Sequence, residues 1–99
     1  MTKTFNELIQ SDKPVIVDFF AEWCGPCKSM APILKDVKDN VGESATIIKI
    51  DVDKNPATSS QYQIQGVPTL IIFKQGKTVW RKSGVVSKNE LLNTLKNFL

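Results

Sequence analysis

The 99-residue sequence contains no histidine and only two cysteines, Cys24 and Cys27. Without an imidazole, Ser-His and Cys-His nucleophiles and histidine metal sites are excluded. Two cysteines are also too few to complete the ligand set of a structural zinc site. We therefore expect no bound metal, and any proton transfer must use carboxylates, lysines or thiols.

Long apolar runs and strong charge are missing as well. No run approaches the roughly 18 apolar residues of a membrane span, and the N-terminus lacks the apolar segment of a signal peptide. The net charge is only +3, with scattered lysines, so nucleic-acid binding is not expected. We predict one domain over residues 1–99, present as a cytoplasmic monomer. In that compartment disulfides are mostly transient and catalytic.

The two cysteines stand where a buried strand gives way to a helix. Residues 15–20 form a nearly continuous apolar run, which is typical of a strand buried on both faces. From Cys27 onward, apolar residues recur at spacings of three and four, which predicts a helix. Cys24 then lies at the helix entrance, where free N–H groups, notably the one near Cys27, and the helix dipole favour a thiolate. We expect an exposed, anionic Cys24 and a shielded Cys27 with the higher pKa.

A structural disulfide is the simplest alternative interpretation of this pair. The chain-entropy model gives a loop of four residues only ~2 kcal/mol of stabilisation, against ~3 kcal/mol for a loop of about fifteen. A bridge this local stabilises little but can open and close as a redox switch. The Cys-x-x-Cys spacing between strand and helix therefore favours redox chemistry.

Asp18 is the only charged residue in the first strand run, six residues before Cys24. A buried carboxylate without a partner has a raised pKa, which suits a general base near neutral pH. Lys49 is likewise a lone cation in the apolar run of residues 47–50, and it would moderate that pKa if it reached Asp18.

The remaining pattern predicts a series of short elements around the cysteine pair. These are a helix over residues 2–11 capped by Thr2 or Thr4, a long helix to about Asn40 kinked at Pro32 and ended by Gly42, a strand over 45–51, a short helix over 56–62, a hairpin of strands 70–73 and 78–82, and a last helix opened by a Ser87–Glu90 capping box. The basic residues of the hairpin are Lys74, Lys77, Arg81 and Lys82, and we attribute them to protection of an edge strand.

The Trp-Cys-Gly-Pro-Cys run of residues 23–27, the strand Asp before it and Gly66-Val67-Pro68-Thr69 after it resemble the thioredoxin family over nearly the whole chain. The resemblance implies an α/β thioredoxin-like fold with a central mixed four-stranded sheet flanked by helices. The family's usual first strand should be lacking, because too few residues precede the first helix. We expect the strand order 2-1-3-4, built from two βα crossovers followed by an antiparallel pair.

The resemblance also implies a protein-disulfide reductase, in which Cys24 attacks the client and Cys27 resolves the mixed disulfide, with Asp18 and Lys49 assisting. Pro68 should be cis beside the disulfide, and Val67 should offer its backbone to a client strand. Electrons would come from NADPH through thioredoxin reductase, with no bound cofactor. Phe20 departs from the family, which commonly has a second tryptophan there. The expected client surface comprises Trp23, Gly25, Pro26, Ile64, Val67, Gly84 and Val85.

Two other functions remain open for such a chain. The same fold can act as an oxidant or isomerase, depending on how strongly the Cys24 thiolate is stabilised. It can also serve as a redox-gated binding module of a larger assembly, which would not need turnover at Cys27.

Overall fold

The computed structural model describes residues 3–99. Along the chain the elements are α1 (Phe5–Leu8), β1 (Val15–Phe20), α2 (Gly25–Val41), a 3-10 turn (Gly42–Ser44), β2 (Thr46–Asp51), α3 (Pro56–Gln61), β3 (Thr69–Lys74), β4 (Lys77–Ser83) and α4 (Lys88–Leu95). Within these residues four strands form one sheet and α1 precedes the first of them, as predicted.

The sheet has the predicted order β2-β1-β3-β4. β1 pairs with β2 in parallel, whereas β3 runs antiparallel to both β1 and β4. The prediction of two βα crossovers was therefore wrong, because only β1-α2-β2 joins parallel strands. The connection through α3 reverses the chain direction and makes the sheet mixed.

Side chains alternate between two apolar layers on the faces of the sheet. On one face, Ile16, Leu70 and Ile72 pack beneath α2 and α4. On the other, Val17, Phe19 and other buried side chains pack with Phe5 of α1 and Tyr62 after α3. Helices therefore cover both faces, as predicted.

β2 forms one edge of the sheet. Its Thr46 N–H bonds to Pro14 O, and Val52 N–H just beyond it bonds to Phe20 O. Because strand peptide groups alternate in direction, those of Ile47 and Lys49 point away from β1. Among residues 3–99 no further strand pairs with this side of β2.

The helix ends differ in detail from the predictions. The predicted first helix is shorter, and Thr4 caps it in a complete capping box with Glu7, whereas Thr2 lies outside the described residues. α2 continues through Pro32 and ends at Gly42, which has φ 55°. At α4, Ser87 Oγ accepts from Glu90 N–H, but the Glu90 carboxylate binds Lys82 instead of completing the capping box.

Candidate active site

Cys24 is the N-cap residue of α2, and its sulfur is joined to that of Cys27 in a disulfide. Their Cα atoms lie 5.3 Å apart. Cys27 N–H donates to Cys24 Sγ at 3.1 Å, as predicted from the helix entrance. Pro26 occupies the first turn of α2. A backbone N–H at that position would have no acceptor within the helix, so its absence costs no hydrogen bond. When the disulfide is reduced, the Cys27 N–H and the positive helix end favour a thiolate on Cys24.

The predicted difference in exposure between the two cysteines was wrong. Cys24 is 4% exposed and Cys27 is 7% exposed, so both are buried in the disulfide form. They form a small cluster with Ala21, against which Val67 and Phe20 pack. Val67, from the α3–β3 loop, contacts Cys24 and helps to cover it. Hydrogen bonding, and not solvent access, distinguishes the two sulfurs here.

Asp18 lies in β1 beneath α2, on the sheet face that carries Ile16. It is 2% exposed, and its Oδ1 has no hydrogen-bond partner among residues 3–99. Burial raises the pKa of this carboxyl from its ordinary 3.8 to about 6, and the charge of Lys49 opposes the rise. The pKa prediction is confirmed in direction and in both causes.

Lys49 is the cross-strand neighbour of Asp18 in the parallel β1–β2 pair. It lies on the same sheet face, but its side chain is exposed. No ion pair joins it to Asp18 within the described part of the chain. Lys49 therefore acts on Asp18 through its field rather than through a hydrogen bond.

The α3–β3 loop brings the backbone of Val67 to the disulfide. The Val67–Pro68 peptide bond is cis, as the resemblance implied, and Pro68 is buried. Val67 O lies 3.6 Å from Cys24 Sγ. This is a contact rather than a hydrogen bond, because a disulfide sulfur carries no proton. The backbone hydrogen bonds described over residues 3–99 leave the Val67 peptide groups unused.

The residues predicted to contact clients lie on three segments near the disulfide, at 23–26, 64–67 and 84–85, which we call the rim. A pocket of about 110 Å³ opens between Trp23, Ile64 and Val67. On the other side, Gly84 N–H donates to Pro68 O at 2.8 Å, which brings Gly84 and the 46% exposed Val85 to the same end of the sheet. Gly25 and Pro26 are exposed in the first turn of α2.

Trp23 is 72% exposed, and Asp53, which the sequence reasoning missed, holds its indole. Trp23 Nε1–H donates to Asp53 Oδ2 at 2.8 Å. Asp51 in turn fixes the turn that carries Asp53, because its Oδ1 accepts from the N–H groups of Asp53 and Lys54. The position of Asp53 just after β2, at the carboxyl end of a strand parallel to β1, was the available signal.

The described residues contain no group of three or more His, Cys, Asp or Glu side chains arranged to hold a metal ion. Among them there is also no helix both long and apolar enough to cross a membrane.

A disulfide of Cys-x-x-Cys spacing, capping a helix at the carboxyl end of a central strand, defines a thiol–disulfide oxidoreductase. The thioredoxin family model matches residues 1–97, and this chain belongs to the thioredoxin family. The solved structure of a mutant thioredoxin from Halobacterium salinarum superposes with a TM-score of 0.88 at 31% identity, covering 99% of this chain and 85% of that one. The family resemblance and the predicted thioredoxin fold are thereby confirmed.

Curated relatives agree with the family assignment. The chain is 50% identical over 96 residues to the thioredoxin-like protein slr0233 of Synechocystis, with 96% of this chain and 91% of that protein covered. It is 48% identical over 86 residues to a thioredoxin of Acidithiobacillus ferridurans, with 87% and 80% covered. Thioredoxin Y2 of Arabidopsis thaliana, a chloroplastic protein, is 44% identical over 97% of this chain and 58% of its own length. The chain is thus a protein-disulfide oxidoreductase of the thioredoxin family, whose members generally act on disulfide-containing clients without a bound cofactor.

Proposed function

We propose that this chain is a single-domain, monomeric, cytoplasmic reductant of protein disulfides. The observation that carries the proposal is the 3.1 Å hydrogen bond from Cys27 N–H to Cys24 Sγ at the start of α2. That N–H stabilises negative charge on one sulfur only, which supports the attacking role for Cys24.

In the first step the Cys24 thiolate attacks one sulfur of the client disulfide. A bond forms between Cys24 Sγ and that sulfur, the client disulfide breaks, and the other client sulfur leaves as a thiolate that takes up a proton. The client is then held as a mixed disulfide at the entrance of α2.

In the second step Cys27 resolves the mixed disulfide. Asp18, on the sheet face beneath α2, takes the proton of the Cys27 thiol, directly or through one water. A pKa of about 6 suits this role, since the group is mostly ionised at pH 7 and still basic enough to accept a proton. The Cys27 thiolate attacks Cys24 Sγ, the bond between Cys24 Sγ and the client sulfur breaks, and that sulfur leaves as a thiolate that takes up a proton. The internal disulfide has then formed, and the client has gained two electrons.

Clients dock on the rim around the disulfide. The unused N–H and C=O groups of Val67 pair with an extended client segment as an added strand. Trp23, Gly25, Pro26, Ile64, Gly84 and Val85 supply the uncharged surroundings, so a client is recognised mainly by its backbone and apolar side chains. Lys49 limits the rise in the pKa of Asp18, and Pro68 sets the course of the loop beside Cys24.

The oxidised protein is returned to the dithiol by thioredoxin reductase, which draws electrons from NADPH. The test is insulin-disulfide reduction with NADPH and that reductase, followed as NADPH consumption. Catalytic turnover that Cys27→Ser abolishes is the expected result. No turnover with either protein would refute the reductase function, and a titrated potential well above that of cytosolic glutathione would reassign the chain as an oxidant or isomerase.

A further inference from the structure

The guanidinium of Arg81 in β4 spans the gap to the end of α3. Arg81 is the cross-strand partner of Ile71, so its side chain lies on the sheet face that also carries Tyr62. Its Nη1 donates to Tyr62 O, and its Nη2 donates to Gln63 O at 2.9 Å. One planar group therefore binds two successive carbonyls.

These two carbonyls directly follow α3, and the hydrogen bonds described over residues 3–99 give them no donor other than Arg81. Ile64 N–H bonds to Ser59 O and Gln63 N–H bonds to Ser60 O, which closes α3 around Gln63. Gln63 has φ 52°, a left-handed conformation that residues with a side chain rarely adopt. A cation here complements the negative end of the helix and offsets the strain at Gln63.

The chain runs directly from this point to the disulfide. Gln63 is followed by Ile64, which lines the pocket next to Trp23, and then by Val67, whose O lies 3.6 Å from Cys24 Sγ. The far end of the loop is fixed separately, because Thr69 Oγ1 donates to Gly66 O at 2.6 Å and Gly84 N–H donates to Pro68 O. Arg81 fixes the near end.

Two of the other three hairpin cations are engaged elsewhere. Lys82 Nζ binds the Glu90 carboxylate, and Lys74 Nζ binds Phe98 O. Protection of the sheet edge, which we assigned to all four basic residues from the sequence, therefore does not describe Arg81. A lysine at position 81 would carry the same charge, but its single nitrogen cannot reproduce the flat two-point contact.

We propose that Arg81 is a positioning residue for client binding. It holds the segment 62–67 so that the backbone of Val67 and the side chain of Ile64 are in place before a protein client arrives. This inference rests on the proposed function, since it assigns to that loop the binding of client segments. A small disulfide that needs no strand pairing does not depend on Arg81.

The experiment is a single-turnover comparison of pre-reduced wild-type protein, Arg81→Ala and Arg81→Lys. Each is mixed with increasing insulin or with 5,5′-dithiobis(2-nitrobenzoate), quenched with acid, and its free thiols are counted by alkylation. Lys82→Ala is the matched control, because it removes one positive charge from the adjacent residue on the opposite sheet face. Amide hydrogen exchange of residues 64–67 is recorded for the same proteins.

For Arg81→Ala we expect the half-saturating insulin concentration to rise about three- to tenfold, with the limiting rate and the small-disulfide rate unchanged. Arg81→Lys should be intermediate, Lys82→Ala should match wild type, and exchange should speed up at residues 64–67 in Arg81→Ala. Unchanged half-saturation, or an equal loss with both disulfides, would overturn the positioning role. If wild type reduced neither disulfide, the proposed function would fail instead, and the exchange data would still decide whether Arg81 holds the loop.

Discussion

Replacing Asp18 with asparagine should make the folded protein more stable near pH 7 than in acid, when each is compared with wild type at the same pH. The carboxyl is 2% exposed, and one of its oxygens has no hydrogen-bond partner within residues 3–99. Its pKa rises from 3.8 to about 6 on folding because burial disfavours the charge. The folded protein therefore holds the Asp18 proton more tightly than the unfolded chain does.

The sign and size of the contribution that Asp18 makes to stability follow from the binding of that proton. Below pH 3.8 the carboxyl is neutral in both states and carries no penalty. Between pH 3.8 and about 6 the folded state binds more protons than the unfolded chain, so stability falls as the pH rises. Above about pH 6 the penalty is constant, and at about 1.4 kcal/mol per pKa unit it amounts to about 3 kcal/mol.

Asparagine has nearly the same shape and no charge, so it removes this penalty. Burying its amide has a cost of its own, about 1–3 kcal/mol, but that cost does not vary with pH. The quantity to compare is therefore the difference between variant and wild-type unfolding free energies across the pH range. We expect this difference to be about 3 kcal/mol more favourable to Asp18→Asn at pH 8 than below pH 4.

The assay is urea unfolding of the oxidised proteins at closely spaced pH values. The control is Asp36→Asn, which removes a solvent-exposed carboxylate of α2 and leaves Asp18 in place. The unfolding free energy of Asp36→Asn should vary with pH in the same way as that of wild type. If the curves of Asp18→Asn and wild type ran parallel between pH 4 and pH 8, the buried charge would not carry the energy assigned to it.

Further outcomes concern turnover, proton transfer, the indole and the hairpin. Cys27→Ser should accumulate a covalent client adduct on Cys24, seen by mass spectrometry, and unchanged function would favour a binding module instead. In stopped flow, Asp18→Asn should slow resolution of the mixed disulfide and leave the first attack intact, whereas equal rates would dismiss the base. Asp53→Ala should weaken client binding about threefold in single-turnover titrations, while Asp53→Asn keeps an acceptor for the Trp23 indole and should match wild type. Gly76→Ala should lower the unfolding free energy by about 1 kcal/mol in urea, because Gly76 has φ 80°, and Gly66→Ala should not.

Local patterns were sufficient for most of the fold and for the cysteine pair. The apolar run of β1 and the three-and-four spacing of α2 placed Cys24 at a helix start, and the structure puts the N–H of Cys27 at its sulfur. The cis peptide bond before Pro68 came from the family resemblance alone, since composition and spacing carry no sign of it.

The features that were missed are contacts between distant parts of the chain. Val67, which helps to cover Cys24, lies 43 residues away, and periodicity in α2 cannot report that contact. Asp53 and Arg81 likewise act on partners 30 and 19 residues away. The direction of β3 relative to β1 could not be predicted either, because its apolar run is compatible with a parallel or an antiparallel neighbour.

Lys49 lies in β2 at the open edge of the sheet, and this position has a consequence beyond the pKa of Asp18. The residues around it, Ile47, Ile48 and Ile50, form a short β-branched stretch, and the peptide groups of Ile47 and of Lys49 itself point to the open side of β2. Such a sequence at an open edge can seed cross-β stacking between molecules. One lysine in its middle acts as a gatekeeper, because stacking in register would bring like charges close together. A neutral replacement of Lys49 would therefore alter colloidal behaviour as well as the field at Asp18, and light scattering has to accompany any kinetic study of that position.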